Sequence, residues 1–177
     1  MQYQISYYSP NGHAETLANA FSRILPGDTY ISNLEEEDTP FADVQLVGYE
    51  YVGTNLNAIP LCVMEYLDKL EEKTIFLFAT IPFLPNDTVE RHVHNNVTAF
   101  VPYHCDFRGL YLCGAQPSDV LLQDLKGIVS RQPENTRAQH WLDRCERAVG
   151  HPDRTDIQNA CQFLEHVLKV GDGPFNS

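Results

Sequence analysis

The residues with the most chemical promise are Ser9-Pro10-Asn11-Gly12-His13-Ala14-Glu15. An apolar run, Tyr3 to Tyr8, stops there in a Ser-Pro-Asn-Gly turn. A helical pattern begins at once, with Ala14, Leu17, Ala18, Phe21, Ile24 and Leu25 on one face. A strand that turns sharply into a helix leaves backbone N–H groups without helical partners, at the positive end of the helix dipole. Such a junction is ready to hold a phosphate or a carboxylate. The same residues also suit an ordinary turn in which Ser9 or Asn11 caps the helix and nothing is bound.

Other reactive side chains are not spaced for catalysis or for metal binding. His92 and His94 are two apart in a helical segment and point to different faces, whereas a helical metal pair needs a spacing of three or four. His104-Cys105-Asp106 has the letters of a nucleophile site, but neighbours on an extended segment diverge. Cys113, at a strand end, is the better thiol candidate, and a small core residue is its simpler role. No G-x-S-x-G, H-E-x-x-H or G-x-x-x-x-G-K-[ST] occurs. The expectation is no catalytic side chain and no metal site.

Alternating elements must position the Ser9 turn. Strands are predicted at Tyr3–Tyr8, Thr29–Ser32, Val44–Tyr49, Thr74–Ala79 and Asp106–Cys113. Helical spacing follows the first strand and links Ile59, Val63, Tyr66, Leu67 and Leu70. It returns after the Asp87/Glu90 pair, which resembles a capping box, and continues to about residue 97. Helices then begin at Ser118, at Pro133-Glu134-Asn135 and after His151-Pro152-Asp153, making a helical C-terminal extension over about 118–170. The acidic stretch Leu34-Glu35-Glu36-Glu37-Asp38-Thr39-Pro40 is expected to be a solvated loop. Apolar strands alternating with helices predict a three-layer, doubly wound α/β sandwich. The five parallel strands take the order 2-1-3-4-5, and residues 1–177 form a single domain.

The formal charge of −12, from 12 basic and 24 acidic residues, disfavours a nucleic acid or an anionic membrane surface as partner and would attract a basic protein. Five widely spaced cysteines without a C-x-x-C read as buried thiols in a reducing compartment. With no signal peptide and no apolar run of about 20 residues, the expected location is the cytoplasm. Nothing here bears on the oligomeric state.

In such a sheet, ligands bind beyond the C-terminal ends of the strands, near the switch point between strands 1 and 3. The loops there are Ser9–Ala14, Glu50–Asn55, Thr80–Asn86 and Cys113–Pro117. The first offers an anion cradle; Tyr49, Tyr51 and Phe83 offer aromatic walls. A phosphate end beside a flat apolar slot would suit a phosphorylated planar ligand.

The Ser9–Glu15 turn resembles the flavodoxin phosphate loop, Ser/Thr-x-Thr-Gly-Asn-Thr. Four segments follow in order: Leu46-Val47-Gly48-Tyr49, Ile75-Phe76-Leu77-Phe78-Ala79-Thr80, Gly109-Leu110-Tyr111-Leu112-Cys113-Gly114 and His151-Pro152-Asp153. Together they resemble the short flavodoxin-like proteins of the BilS type over about residues 3–169. Ser9 and Gly12 match the loop; Asn11, His13 and Ala14 replace Thr, Asn and Thr. The resemblance implies an FMN site formed by Ser9, Asn11, Gly12, His13, Ala14 and Glu15 at the phosphate. Tyr49, Glu50, Tyr51, Gly53 and Thr54, then Thr80, Ile81, Pro82 and Phe83, and finally Cys113 and Gly114 would surround the ring. It also implies an electron carrier rather than a stand-alone enzyme, with a redox partner protein and a role accessory to a reductase. The alternative is a flavodoxin-fold interaction module that has lost or exchanged the flavin, consistent with Pro82 and Pro85, which remove N–H donors from the third loop.

Overall fold

The computed structural model describes residues 1–36 and 38–169. Glu37 of the acidic stretch, and the chain after Lys169, lie outside the described residues. The strands are β1 (Tyr3–Tyr8), β2 (Thr29–Asn33), β3 (Val44–Glu50), β4 (Thr74–Ile81) and β5 (Asp106–Gly114). The helices are α1 (His13–Ile24), α2 (Leu61–Asp68), α3 (Asp87–Thr98), α4 (Asp119–Arg131), α5 (Thr136–Arg147) and α6 (Arg154–Lys169). The strands form one sheet in the order β2-β1-β3-β4-β5, with every neighbouring pair parallel. That is the expected doubly wound order.

The period of two along each strand divides the core between two faces. On one face Ile5, Leu46, Phe76 and Phe78 meet Leu17 and Phe21 of α1 and Leu164 of α6. On the other, Val47, Tyr49, Ile75, Leu77 and Ala79 meet Val63 and Leu67 of α2, Val93 of α3, Leu125 of α4 and Cys145 of α5. Burial of each large aliphatic or aromatic side chain contributes about 1.5–3 kcal/mol. Gly48 is required by this packing: a Cβ there would lie 2.2 Å from the Phe78 ring, which stands edge-on to Phe21 with centroids 5.1 Å apart. Helix α6 covers the sheet beside α1, so the last helix of the C-terminal extension is part of the sandwich.

Capping differs in one detail from the sequence expectation. Asn86, not Asp87, caps α3, its side chain accepting from the Val89 N–H at 3.0 Å. Asp87 and Glu90 then occupy the first turn, where the dipole favours them.

The acidic stretch is not simply solvated. Gln4, Ser6 and Gln45 are fully buried within the sheet and need partners. Asp38 serves two of them, accepting from Ser6 Oγ at 2.6 Å and from Gln4 Nε2 at 3.1 Å, and it also accepts from Ser32 Oγ, while Gln45 donates to Gln4 Oε1 and to the Ala42 carbonyl. The Ser6 hydroxyl also lies 3.0 Å from the Tyr66 hydroxyl, which donates to Gln45 Oε1 at 2.9 Å. Burial pushes the Tyr66 phenol well above its usual range, and the charge on Asp38 adds to that. Buried polar side chains therefore pull this loop onto the sheet, an interaction that local polarity does not reveal.

Among the described residues, no helix is long and apolar enough to cross a membrane. All five cysteines are free.

Candidate functional site

The β1–α1 junction forms the cradle its sequence predicts. Gly12 adopts a left-handed conformation, φ +82°, and starts the helix without a side-chain cap of its own. The N–H groups of Asn11, His13 and Ala14 then converge on one point. That point is occupied by the carboxylate of Glu50. Oε1 accepts from Ser9 Oγ at 2.5 Å, His13 N at 2.6 Å and Ala14 N at 3.0 Å, and Oε2 accepts from Asn11 N at 2.9 Å. Ser9 Oγ in turn accepts from Glu15 N at 3.0 Å. The first three N–H groups of α1 are thus all satisfied, two by Glu50 and one by Ser9. Charge-assisted hydrogen bonds and the helix dipole offset the cost of removing this carboxylate, 3% exposed, from water.

The reason Glu50 arrives here lies in β3. Tyr49 points into the α2 face of the core, so its neighbour Glu50 must point to the opposite face, where α1 begins. The expectation of Glu50 as a loop residue is therefore corrected: it is the last residue of β3, registered with Thr80, and its carboxylate fills the cradle. The signal was present in the strand alternation, once Tyr49 is recognised as core.

The residues expected as aromatic walls are largely covered. Tyr49 and Tyr51 are 0% and 4% exposed, their hydroxyls 3.2 Å apart and their rings edge-on. Burial pushes both phenols up, so the pair stays neutral. Phe83 is fully buried, edge-on to Trp141, with the Arg144 guanidinium 4.3 Å from its centroid. Phe83 packs into the core against α5 and Tyr49 is fully buried in the core, while Tyr51, though little exposed, also lines a cavity beside Glu50.

The remaining expected site residues divide. Thr80 and Ile81 are the end of β4, with carbonyls accepting from Tyr51 N and Ala115 N, and Pro82 beside them is buried. Gly53 lines a cavity of about 340 Å³ with Tyr8, Glu50, Tyr51, Val52 and Asn55, while Thr54 faces a separate groove with His92 and Trp141. Cys113 is buried; desolvation, then the charges of Asp156 and Asp153, push its thiol up to about 12, so it is not a thiolate nucleophile. A Cβ on Gly114 would press on Leu84 and the Phe83 carbonyl at 3.0 Å. His104 and Cys105 both address the Leu70 carbonyl and not each other. His92 bonds Asn57 Oδ1.

Sequence reasoning did not single out Gln116. The His13 Nε2 lies 3.1 Å from the Gln116 carbonyl, and Gln116 is held by Gly150 N and the His151 carbonyl. It ties the fourth loop to the first. His151, Asp153 and Asp156 also cluster, but their contacts are those of a helix start: Asp153 Oδ1 accepts from Asp156 N while Asp156 Oδ2 accepts from Asp153 N and lies 2.6 Å from His151 Nδ1.

The donor types of the cradle suit a phosphate, but Glu50 engages them. A phosphate dianion placed on the same N–H groups would meet a carboxylate at hydrogen-bonding distance, and like charges there repel. As this chain arranges it, the cradle does not fit the phosphate of FMN.

The flavodoxin domain family profile matches residues 4–165. Among solved structures, a short-chain flavodoxin associated with a PDU bacterial microcompartment aligns over 96% of this chain and 98% of its own, with a TM-score of 0.58 and 14% identity. A flavodoxin from the domain Archaea aligns over 84% of this chain and 99% of its own, with a TM-score of 0.43 and 14% identity. No curated protein matches the chain in sequence. The profile match runs through all five strands and most of α6, and on that ground the chain belongs to the flavodoxin domain family.

Proposed function

We propose that this flavodoxin-family protein works as a binding module that holds no FMN phosphate in its cradle. One observation carries this reading: the four donors that would receive a phosphate converge on the buried Glu50 carboxylate. The full burial of Tyr49 and Phe83 in the core supports it, since neither ring is open to stack on a planar ligand. The net charge of −12 favours a basic partner protein, whose association would weaken as salt rises. Five free thiols favour a reducing compartment, the cytoplasm. The test is the visible spectrum of the purified protein, followed by titration with FMN at micromolar concentration. A colourless protein that leaves flavin fluorescence unquenched is expected. A yellow protein as isolated would overturn the reading.

A second reading has its own support. The family profile spans nearly the whole chain, and the β1–turn–α1 junction keeps its glycine and its convergent N–H groups. On that reading the chain is an FMN-binding electron-transfer protein serving a redox partner, accessory to a reductase. The flavin would supply the electron chemistry. The chain would supply the N–H groups of Asn11, His13 and Ala14 and the Ser9 hydroxyl, after Glu50 had left them. The same spectrum separates the two readings.

A further inference from the structure

We infer that Glu50 is an internal stand-in for an oxyanion and is the residue that decides which ligands the cradle admits; with the carboxylate in place phosphate-bearing ligands are excluded, and without it the cradle is a working oxyanion site. This rests on the closed-cradle reading above and adds that the cradle itself remains competent.

The geometry carries both halves. The carboxylate is held as a bound anion would be, by three backbone N–H groups and one hydroxyl at 2.5–3.0 Å, across the N-terminus of a twelve-residue helix. Among the described residues no lysine or arginine pairs with it, so the backbone and Ser9 compensate its charge. None of the three N–H donors depends on side-chain identity, so replacing Thr or Asn by His13 or Ala14 leaves the receptor intact. What changed is the occupant. Glu50 is anchored in β3 by the ladder that pairs it with Thr80, and a tethered group competes at an effective concentration that free phosphate at or below about millimolar levels does not match. A buried N–H left without an acceptor is costly, so removal of the carboxylate creates a demand that an external oxyanion meets.

The experiment compares wild type, Glu50→Ala and Glu50→Gln in potassium phosphate and in potassium chloride of equal ionic strength, followed by FMN and riboflavin titrations. Wild type sets the baseline, its rise in phosphate over chloride being only the general effect of an excluded salt. Glu50→Ala should melt lower than wild type in chloride and recover part of the loss in phosphate, and Glu50→Gln should recover less. Affinity for FMN should rise by about tenfold or more in Glu50→Ala, with riboflavin unchanged. A folded Glu50→Ala that gains nothing from phosphate would overturn the inference. So would a wild type stabilised by phosphate as much as the variant. If neither variant folds, amide NMR of the wild type decides: the Asn11, His13 and Ala14 signals should not move on adding phosphate, and movement counts against the closed cradle. Wild type that takes up riboflavin but excludes FMN would end the reading as a flavin-free module and leave this inference standing. A phosphate-indifferent Glu50→Ala would do the reverse.

Discussion

Glu50 and Asp38 are two carboxylates drawn out of solvent at the margin of one sheet, and they answer different needs. Glu50 meets backbone N–H groups at a helix start, donors that exist wherever a strand turns into a helix. Asp38 meets side chains, the hydroxyls of Ser6 and Ser32 and the amide of Gln4, which the sequence planted inside the sheet. The first set of donors is convergent, fixed by the main chain and indifferent to which anion fills it. The second is assembled from rotamers of particular residues and fits one tethered partner. A carboxylate at the first place therefore stands where a ligand could stand; a carboxylate at the second is a fastener for the loop after β2.

The comparison breaks most directly at Glu50. Glu50→Ala should cost roughly 3 kcal/mol in urea unfolding, since several charge-assisted bonds vanish and buried donors are left unmet. Phosphate should restore part of that cost. Asp38→Ala comes next, at roughly 2 kcal/mol, because its hydroxyl partners can turn to each other or to Tyr66. Phosphate should restore none of it; recovery equal to that of Glu50→Ala would erase the distinction drawn here. Gly12→Ala should cost about 1–2 kcal/mol through left-handed backbone strain alone, as no atom lies within 4 Å of the added Cβ. Its effect should combine non-additively with Glu50→Ala in a double-mutant cycle, and additively with Asp38→Ala.

The smallest effect near neutral pH is a background that both carboxylate variants should share. The Cys113 thiol titrates near 9.0 when unperturbed and is raised to about 12 in the fold. A raised acid is protonated in the folded state when the unfolded chain has already lost its proton. The stability it contributes is full below pH 9 and is lost as pH rises toward 12. The phenols of Tyr49 and Tyr66, buried, and of Tyr111, half-buried, are all shifted upward and act in the same direction at the upper end of that window. Unfolding free energy measured at pH 8, 9 and 10 should decline, and Cys113→Ala should flatten the first part of the decline. An unchanged slope in that variant would assign the alkaline loss to the tyrosines.

Much of the fold was legible because its elements carry local signals. Apolar runs such as Thr74–Ala79 and the helical spacing after His13 report a buried strand and an amphipathic helix from their own residues. The order 2-1-3-4-5 followed from alternation and the handedness of crossovers. The cradle was also legible, since a turn with Gly12 between a strand and a helix has few conformations. The occupant was not, and neither was the fate of the aromatic rings. Phe83 could line a slot or enter a core, and that choice depends on Trp141 of α5, far along the chain. Asp38 looked solvated because its partners Gln4 and Ser6 lie more than thirty residues away.

By itself, then, the sequence determined the strands, the helices, their order and the presence of an anion-receiving turn at Ser9–Glu15. Those are properties of short segments and of chain connectivity. Only the tertiary structure decided which anion fills the turn. The register of β3 against β1, with Tyr8 opposite Tyr49, carries Glu50 to the start of α1 across forty-one residues from Ser9. A hydrogen bond at that separation is set by sheet pairing and the two-residue alternation of the strand, and no local pattern encodes it.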